Sequence, residues 1–449
     1  MSIASSNYCG KKVAVLGLGR SGMAASRLLK GLGAEVTVCD SGESAELRAR
    51  AETLRGEGIN FLGGMLAEND STAYDLAVLS PGIEESSSLV TNITTKGTPL
   101  IGELELAFTC CESKIIAITG SNGKTTTTEL TAMALVGAGL KAVACGNIGI
   151  PFSEIVASRE LWDVVVIEVS SFQLETIRTF RPQIAVWLNL TPNHLDRYPS
   201  MEEYRSAKLR IFENQKEGDW AVVPSGETMP KIKSRPMTFG VGDQADLSLH
   251  GTMITHRGKV LLDMDSIKLR GNHNALNLMA AFACGLILGA DPGRMAAAIA
   301  GYTPPAHRCE LVFEGGGVKW INDSKATTLA AMEQAIRSVR GPLLLIAGGK
   351  DKGFTFDPIA PLVRERVDLA ILIGEMRHRI AADWASTPTI IAESLDEAVE
   401  IAAQKAPPGG TILFSPGTSS FDMFRDYIDR GESFRRLVKN SENAVISTS

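Results

Sequence analysis

Short apolar runs alternate with longer mixed stretches along most of this chain. Val13-Ala14-Val15-Leu16 is the first run, and Gly17-Leu18-Gly19-Arg20-Ser21-Gly22 follows it. A helical stretch then extends from Met23 to Leu32. Glu35-Val36-Thr37-Val38-Cys39-Asp40 is the next run and ends in an acid. Strand, glycine loop, helix, strand and acid, in that order, make a dinucleotide-binding unit. The glycines let the backbone approach a diphosphate, and the helix N-terminus supplies donors and dipole. Asp40 is placed to accept hydroxyl hydrogen bonds. The same unit serves NAD or any other sugar-bearing diphosphate. A further run, Leu76-Ala77-Val78-Leu79, ends in Ser80-Pro81-Gly82. That loop is either a ligand loop at a parallel sheet's carboxyl edge or an ordinary turn.

The pattern then repeats with a different loop. Lys114 to Thr119 reads as a strand and runs into Gly120-Ser121-Asn122-Gly123-Lys124-Thr125. Thr126, Thr127 and Thr128 follow, and a helix is expected from near Glu129. A loop ending in Gly-Lys-Thr cradles phosphates with backbone N–H groups. Its lysine reaches the terminal phosphates and its threonine hydroxyl ligates Mg²⁺. The generic spacing wants glycine where Ile118 stands, so this is a shortened variant that its context supports. A dehydrogenase has no need of such a loop. The first unit therefore reads as the site of a second phosphate-bearing substrate.

Asp163 to Glu168 is a strongly apolar strand ending in a carboxylate. An acid there is where the second metal-binding group of an ATPase belongs; a strand-terminal acid with no metal role is the plain alternative. The strand Ile184 to Asn189 leads to Asn193-His194-Leu195-Asp196-Arg197, a candidate metal ligand with a neighbouring acid. Tyr204 to Phe212 reads as an amphipathic helix on which Lys208 is plain surface. Asn274 and Asn277 lie one turn apart ahead of the apolar stretch Leu278 to Ala290, where they cap a buried helix or read a base. The stretch from Asp219 to Lys268 is rich in strands and turns and carries no evident chemistry.

Pro304-Pro305 breaks the pattern and marks a boundary. Beyond it, strands and helices alternate again. The strands near Trp320, Leu343, Leu369 and Thr411 end in polar clusters: Asn322 to Thr328, Gly348 to Gly353, and Ser415 to Asp422. Such basic and hydroxyl-rich strand ends suit a small anion such as a carboxylic acid, or are ordinary surface polarity.

Length and composition agree with this division. The 449 residues suit about three domains. We place them at 1–107, 108–304 and 305–449. The fold expected is α/β throughout: an N-terminal Rossmann-like domain, a central P-loop ATPase-type domain and a C-terminal Rossmann-like domain. A net charge of -6 argues against non-specific nucleic-acid binding. Seven cysteines, none in a CxxC pair, argue against a disulfide scaffold or a cysteine-built metal site, and for a reducing, cytoplasmic setting. The longest apolar run is too short to cross a bilayer, and no basic-then-apolar signal opens the sequence. A monomer free of nucleic acid and integral membrane association is expected.

Taken in order, the motifs resemble the Mur ligase family over essentially the whole chain. They are Gly120 to Thr126, Glu168 to Glu175, Asn193 to Arg197, Tyr204 to Phe212, His307-Arg308, Asn322 to Thr327 and Ser415 to Phe424. Within the family, the branch that adds D-glutamate is the nearest. The resemblance implies an ATP-dependent amide ligase with UDP-N-acetylmuramoyl-L-alanine and D-glutamate as substrates, two Mg²⁺ ions and an acyl-phosphate intermediate. It further implies that Lys124 holds the γ-phosphate, within the ATP loop Gly120, Ser121, Asn122, Gly123, Lys124, Thr125 and Thr126. Thr125 and Glu168 would hold one Mg²⁺, and His194 the second. Lys208 matches a lysine that is carbamylated in the family, a metal-binding anion where the residue pattern shows only a cation. Asn277, His307 and Arg308 match adenine and ribose contacts, and Asp323 and Lys325 lie near the transferred phosphate. Gly17, Leu18, Asp40, Ser41, Ser80 and Gly82 would hold the uridine diphosphate, with Asn147 and His194 nearer the acyl phosphate. Thr327, Lys352, Ser420, Phe421 and Tyr427 resemble the D-glutamate pocket.

The chain departs from the family pattern in three places. Ser415 to Ser420 stands where an Ala-Cys-Ala-Ser run is usual, and Gly348-Gly349-Lys350-Asp351-Lys352 shuffles a Gly-Gly-Asp-X-Lys order. Tyr427 stands where a phenylalanine can be found. Rival readings are the sister ligases adding L-alanine or a diamino acid, folylpolyglutamate synthetase, and a non-catalytic nucleotide switch. The N-terminal unit separates the chain from the diamino-acid and folate enzymes. Asn122, where the alanine-adding enzyme has histidine, separates it from that enzyme. A switch would tolerate losing Glu168, His194 or Lys208, and all three are present.

Overall fold

A computed structural model describes residues 7–446, apart from 43, 192–196, 243, 304–305, 352 and 354. The chain forms two compact units, one running through Leu190 and on to Tyr302, the other from Thr303 onward. The first unit holds two sheets and the second holds one.

The N-terminal sheet has five parallel strands in the spatial order Asn60–Gly63, Glu35–Asp40, Lys12–Leu16, Leu76–Leu79, Leu100–Gly102. Successive strands are added first to one side of Lys12–Leu16 and then to the other. The loops after Lys12–Leu16 and Leu76–Leu79 therefore meet at a topological switch point, where open α/β sheets bind ligands. The central sheet has nine strands, of which Met253–His256 and Lys259–Asp263 are antiparallel additions at one edge. Its middle strands, Lys114–Thr119, Val164–Glu168 and Ile184–Trp187, pair in parallel, so their carboxyl ends lie side by side. The second unit's sheet has six strands. Val318–Asn322, Thr411–Phe414 and Leu343–Gly348 are parallel neighbours in it.

Side-chain alternation explains why these runs are strands. Ile116 and Ile118 enter one core with Val164, Val166 and the helix Asn272–Ile287. Ile115 and Ala117 enter the opposite core with Val165, Ile167 and Trp187. A strand buried on both faces needs an unbroken apolar run, which is what the sequence has. The same split separates Leu343 and Leu345 from Leu344 and Ile346.

One helix starts earlier than the sequence predicts. It runs Lys124–Gly137, not from Glu129, so Thr125 to Thr128 are helical. β-Branched threonines weaken an isolated helix. Here Thr126, Thr127 and Thr128 are buried, and Thr131 Oγ1 donates to Thr127 O at 2.7 Å. Tertiary packing overrides the local propensity.

Two buried glutamates fasten the helix Glu103–Cys110 to the central sheet's connections. Ser153 N donates to Glu103 at 2.7 Å. Glu105 accepts from the backbone N–H groups of Arg178, Thr179 and Phe180 at 2.8–2.9 Å, and from the Thr179 hydroxyl. Glu105→Ala leaves those donors without their acceptor. It should cost about 3 kcal/mol of stability. A denaturant titration checks this, and an unchanged midpoint would show the contacts to be dispensable.

Candidate active site

In the central sheet, the loop Gly120–Gly123 leaves the buried strand Lys114–Thr119 and enters the helix at Lys124. No side chain caps this helix, and its N-cap, Gly123, has φ +83. A helix N-terminus without a side-chain cap directs N–H groups and dipole at an anion, which suits phosphate. A Cβ on Gly123 would lie 2.3 Å from Asn277 Oδ1, so the loop and that asparagine touch only because the residue is glycine. Asn189 shapes the loop from the other side. Its Oδ1 accepts from Asn122 N at 2.9 Å, its Nδ2 donates to Asn122 O at 3.0 Å, and its carbonyl accepts from Ser121 N at 3.0 Å. Sequence reasoning gave Asn189 no role. Its one signal was an amide ending an apolar strand beside the loop.

The charged groups converge on the same strand ends. Lys124 Nζ donates to Gly120 O and Ser121 O, both at 3.0 Å. Lys208 Nζ donates to the same Gly120 O at 3.0 Å. Lys208 is 1% exposed, which corrects the surface reading of this residue. It stands in the last turn of the helix Met201–Leu209, and its Nζ lies 4.6 Å from the centre of the buried Tyr204 ring. The Tyr204 hydroxyl is 3.3 Å from Ser121 Oγ. Burial, then repulsion from Lys124, pulls the Lys208 pKa down to about 6 against the opposing pull of Glu168. At neutral pH this amine is mostly uncharged.

Glu168 is buried, and both its oxygens are held. Oε2 accepts from Thr125 Oγ1 at 2.8 Å, and Oε1 accepts from Asn147 Nδ2 at 2.8 Å. Thr125 and Glu168 together present hard oxygen donors beside the phosphate loop, a set that fits Mg²⁺ sharing phosphate oxygens. Among the described residues no three His, Cys, Asp or Glu side chains cluster as a metal site. A Lys208 ammonium or amine does not fit a second Mg²⁺ without modification. His194 lies outside the described residues.

At the N-terminal switch point, Ser80 Oγ donates to Gly17 O at 3.2 Å and ties the two loops together. Asp40 is engaged by the backbone and keeps lone pairs for hydroxyl donors. Its carboxylate takes Leu18 N at 2.7 Å and Gly42 N at 2.8 Å. It shapes the loop containing Gly17 and Leu18 and the turn containing Ser41. Gly82 closes the loop that Ser80 begins.

In the second unit, Asp323 follows the strand Val318–Asn322 and is buried. It accepts from Ser415 Oγ at 2.8 Å and Cys309 N at 3.1 Å. Burial pushes its pKa up to about 6, with those hydrogen bonds opposing. His307 is also buried, with Nδ1 2.9 Å from Asn322 Nδ2. Burial and then Arg435 hold its imidazole below the usual pKa. Arg308 Nη1 is buried with no partner among the described residues. Lys325 N donates to His307 O, and Thr327 N to Lys325 O, each at 2.9 Å. Ser420 is buried, Phe421 is 70% exposed, and the Tyr427 ring centre lies 5.9 Å from Lys325 Nζ. Lys352 lies outside the described residues.

Comparison with known proteins follows this geometry. Residues 11–102 match the model of the Mur ligase MurD-like N-terminal domain, 118–285 that of the Mur ligase middle domain, and 307–417 that of the Mur ligase glutamate ligase domain. The chain is 41% identical over 444 residues to a UDP-N-acetylmuramoylalanine–D-glutamate ligase of Geobacter metallireducens, covering 96% of this chain and 97% of that one. It is 39% identical to the protein of the same name from Chlorobaculum tepidum, over 96% and 98% of the two chains. Among solved structures it resembles a UDP-N-acetylmuramate-alanine ligase of Thermotoga maritima, with TM-score 0.60 and 19% identity over 97% of this chain and 100% of that one. It also resembles a pseudomurein peptide ligase type C of Methanothermus fervidus, with TM-score 0.61 and 18% identity over 96% and 100%. The structural likeness speaks for the fold. The described residues include no helix long and apolar enough to cross a membrane.

Proposed function

We propose how this site works from one premise: the chain belongs to the Mur ligase family, with that family's three-domain α/β architecture. It is an ATP-dependent ligase that joins D-glutamate to UDP-N-acetylmuramoyl-L-alanine, and it uses Mg²⁺. The observation that carries the mechanism is the double engagement of Glu168. One oxygen faces Thr125 on the nucleotide side, and the other faces Asn147. Asn147 is the residue we assign to the nucleotide precursor. A single carboxylate thus marks where the γ-phosphate and the alanyl carboxylate meet.

A carboxylate is a poor electrophile. Phosphorylation by ATP turns it into a mixed anhydride, the D-glutamate amine attacks the carbonyl, and phosphate leaves from the tetrahedral intermediate. Lys124 gives up its loop carbonyls to the γ-phosphate, and the uncapped helix N–H groups hold the neighbouring phosphates. Thr125 and Glu168 would hold Mg²⁺, whose charge would offset that of the phosphoryl group. Arg308 has a buried donor to spare for nucleotide, while Asn277 packs where the base and ribose approach the loop. Lys325 and Asp323 serve the transferred phosphate. We assign Thr327, Lys352, Ser420, Phe421 and Tyr427 to the D-glutamate substrate. Gly17, Leu18, Asp40, Ser41, Ser80 and Gly82 receive the uridine diphosphate, and Asp40 also holds the loop in shape.

The residue ranges 1–107, 108–304 and 305–449 then each serve one substrate: precursor, ATP and amino acid. A carbamylated Lys208 would hold a second Mg²⁺ together with His194. The largely neutral amine supports this, because only the uncharged form adds to carbon dioxide. We assign the enzyme to the cytoplasm as a monomer.

Incubation with the UDP-muramoyl-L-alanine precursor, ATP, Mg²⁺ and single amino acids tests the reading. Phosphate release is expected with D-glutamate alone. No release with D-glutamate, but release with L-alanine on the unsubstituted precursor, overturns it.

A further inference from the structure

We infer that Arg430 is a positioning residue for the amide-forming step, holding in register the three strand-end loops that carry the phosphoryl and amino-acid groups. The inference rests on the site reading above. Arg430 lies on the helix Tyr427–Ile446 and is 1% exposed. Its Nε donates to Ser324 Oγ at 3.1 Å, and Nη2 donates to Ser324 O at 2.9 Å and Thr418 O at 3.1 Å. Ser324 stands between Asp323 and Lys325, so a shift of Ser324 moves both. Thr418 is two residues from Ser420.

The third loop is tied in as well. Thr418 Oγ1 donates to Lys350 O at 2.6 Å, and Lys350 N donates to Ser419 O at 2.9 Å. Arg430 Nη1 has no partner among the described residues and faces this loop: a Cβ on Gly349 would lie 3.2 Å from it. The three loops leave three adjacent parallel strands, Val318–Asn322, Thr411–Phe414 and Leu343–Gly348. The guanidinium lies across their carboxyl ends.

Plain packing does not call for a charge here. A buried cation is costly, and an apolar side chain of similar volume fills space as well or better. Burial pulls the Arg430 pKa down to about 10, so it stays charged at neutral pH, with Asp422 and then Asp323 favouring that state. What only a guanidinium supplies is a rigid planar fork that fixes several acceptors at once. Small displacements of reacting groups cost much in rate, which gives such a fork a use.

Steady-state phosphate release by Arg430→Met and Arg430→Lys, beside the wild-type enzyme, tests this. Arg430→Met should raise KM for D-glutamate and lower kcat, each by about tenfold or more, while KM for the UDP precursor stays unchanged. Guanidinium ion at low concentration should restore part of the kcat, and Arg430→Lys should fall between. An unaltered D-glutamate KM, or a loss that guanidinium does not relieve, overturns the role. Should Arg430→Met fail to fold, Ser324→Ala decides, because it removes one bond from the fork. It should raise the D-glutamate KM several-fold at constant precursor KM, and no rise refutes the inference. Failure of the substrate reading shows in the wild-type reference; failure of the Arg430 role shows in the variants alone.

Discussion

Lys208→Ala should cut D-glutamate-dependent phosphate release by about a hundred- to a thousandfold, and a small carboxylic acid should restore part of it. The side chain is buried, its nitrogen is 3.0 Å from Gly120 O, and its pKa is pulled to about 6. A neutral amine adds to carbon dioxide, loses one proton and becomes a carbamate anion. Truncation would remove that anion and leave a small cavity for a free carboxylate. Unchanged activity refutes the carbamate assignment. The unmodified protein carries a pH signature as well. An unfolded lysine keeps its proton to about 10.4, whereas this folded one releases it near 6. Between those values the unfolded state binds more protons, so stability rises with pH across that window. Below it both states are protonated, and the burial cost is felt in full. In carbon-dioxide-free buffer, unfolding followed from pH 6 to pH 9 should show this rise, and Lys208→Ala should abolish it.

Glu168→Gln should lower kcat by about a hundredfold or more and move Mg²⁺ half-saturation to higher concentration. The substitution keeps the shape and removes the charge. An amide accepts on one side only, so the Thr125 hydroxyl keeps its contact only by turning from donor to acceptor. A Mg²⁺ titration of phosphate release reads both effects. A variant with the wild-type Mg²⁺ response would exclude Glu168 from the metal site.

Strands were the most legible part of this sequence, because a strand buried on both faces writes itself as an apolar run. Ile115 to Ile118 needs no further context to be read that way. The loop Gly120–Gly123 was legible as a strand-to-helix connection despite Ile118, because its glycines and lysine sit between an apolar run and a helix. What escaped was set by distant parts of the chain. Lys208 looks like surface on its own helix, and only the approach of Gly120, 88 residues away, buries it. Asn189 reaches Asn122 across 67 residues. The bonds from Leu18 N and Gly42 N to Asp40 were not legible in the sequence. The helix start at Lys124 was misjudged because threonine propensity is a local quantity, while burial is not.

The Gly120 carbonyl that Lys124 and Lys208 share makes the two residues epistatic. Alanine at 124 would take away the proposed phosphate contact, and it would also take away the neighbouring charge that discourages protonation of Lys208. Lys208 then holds its proton more tightly and captures carbon dioxide less readily. A single substitution therefore damages two functions, and the double variant should lose far less than the product of the two single losses. Genetically, two lysines 84 positions apart behave as one locus.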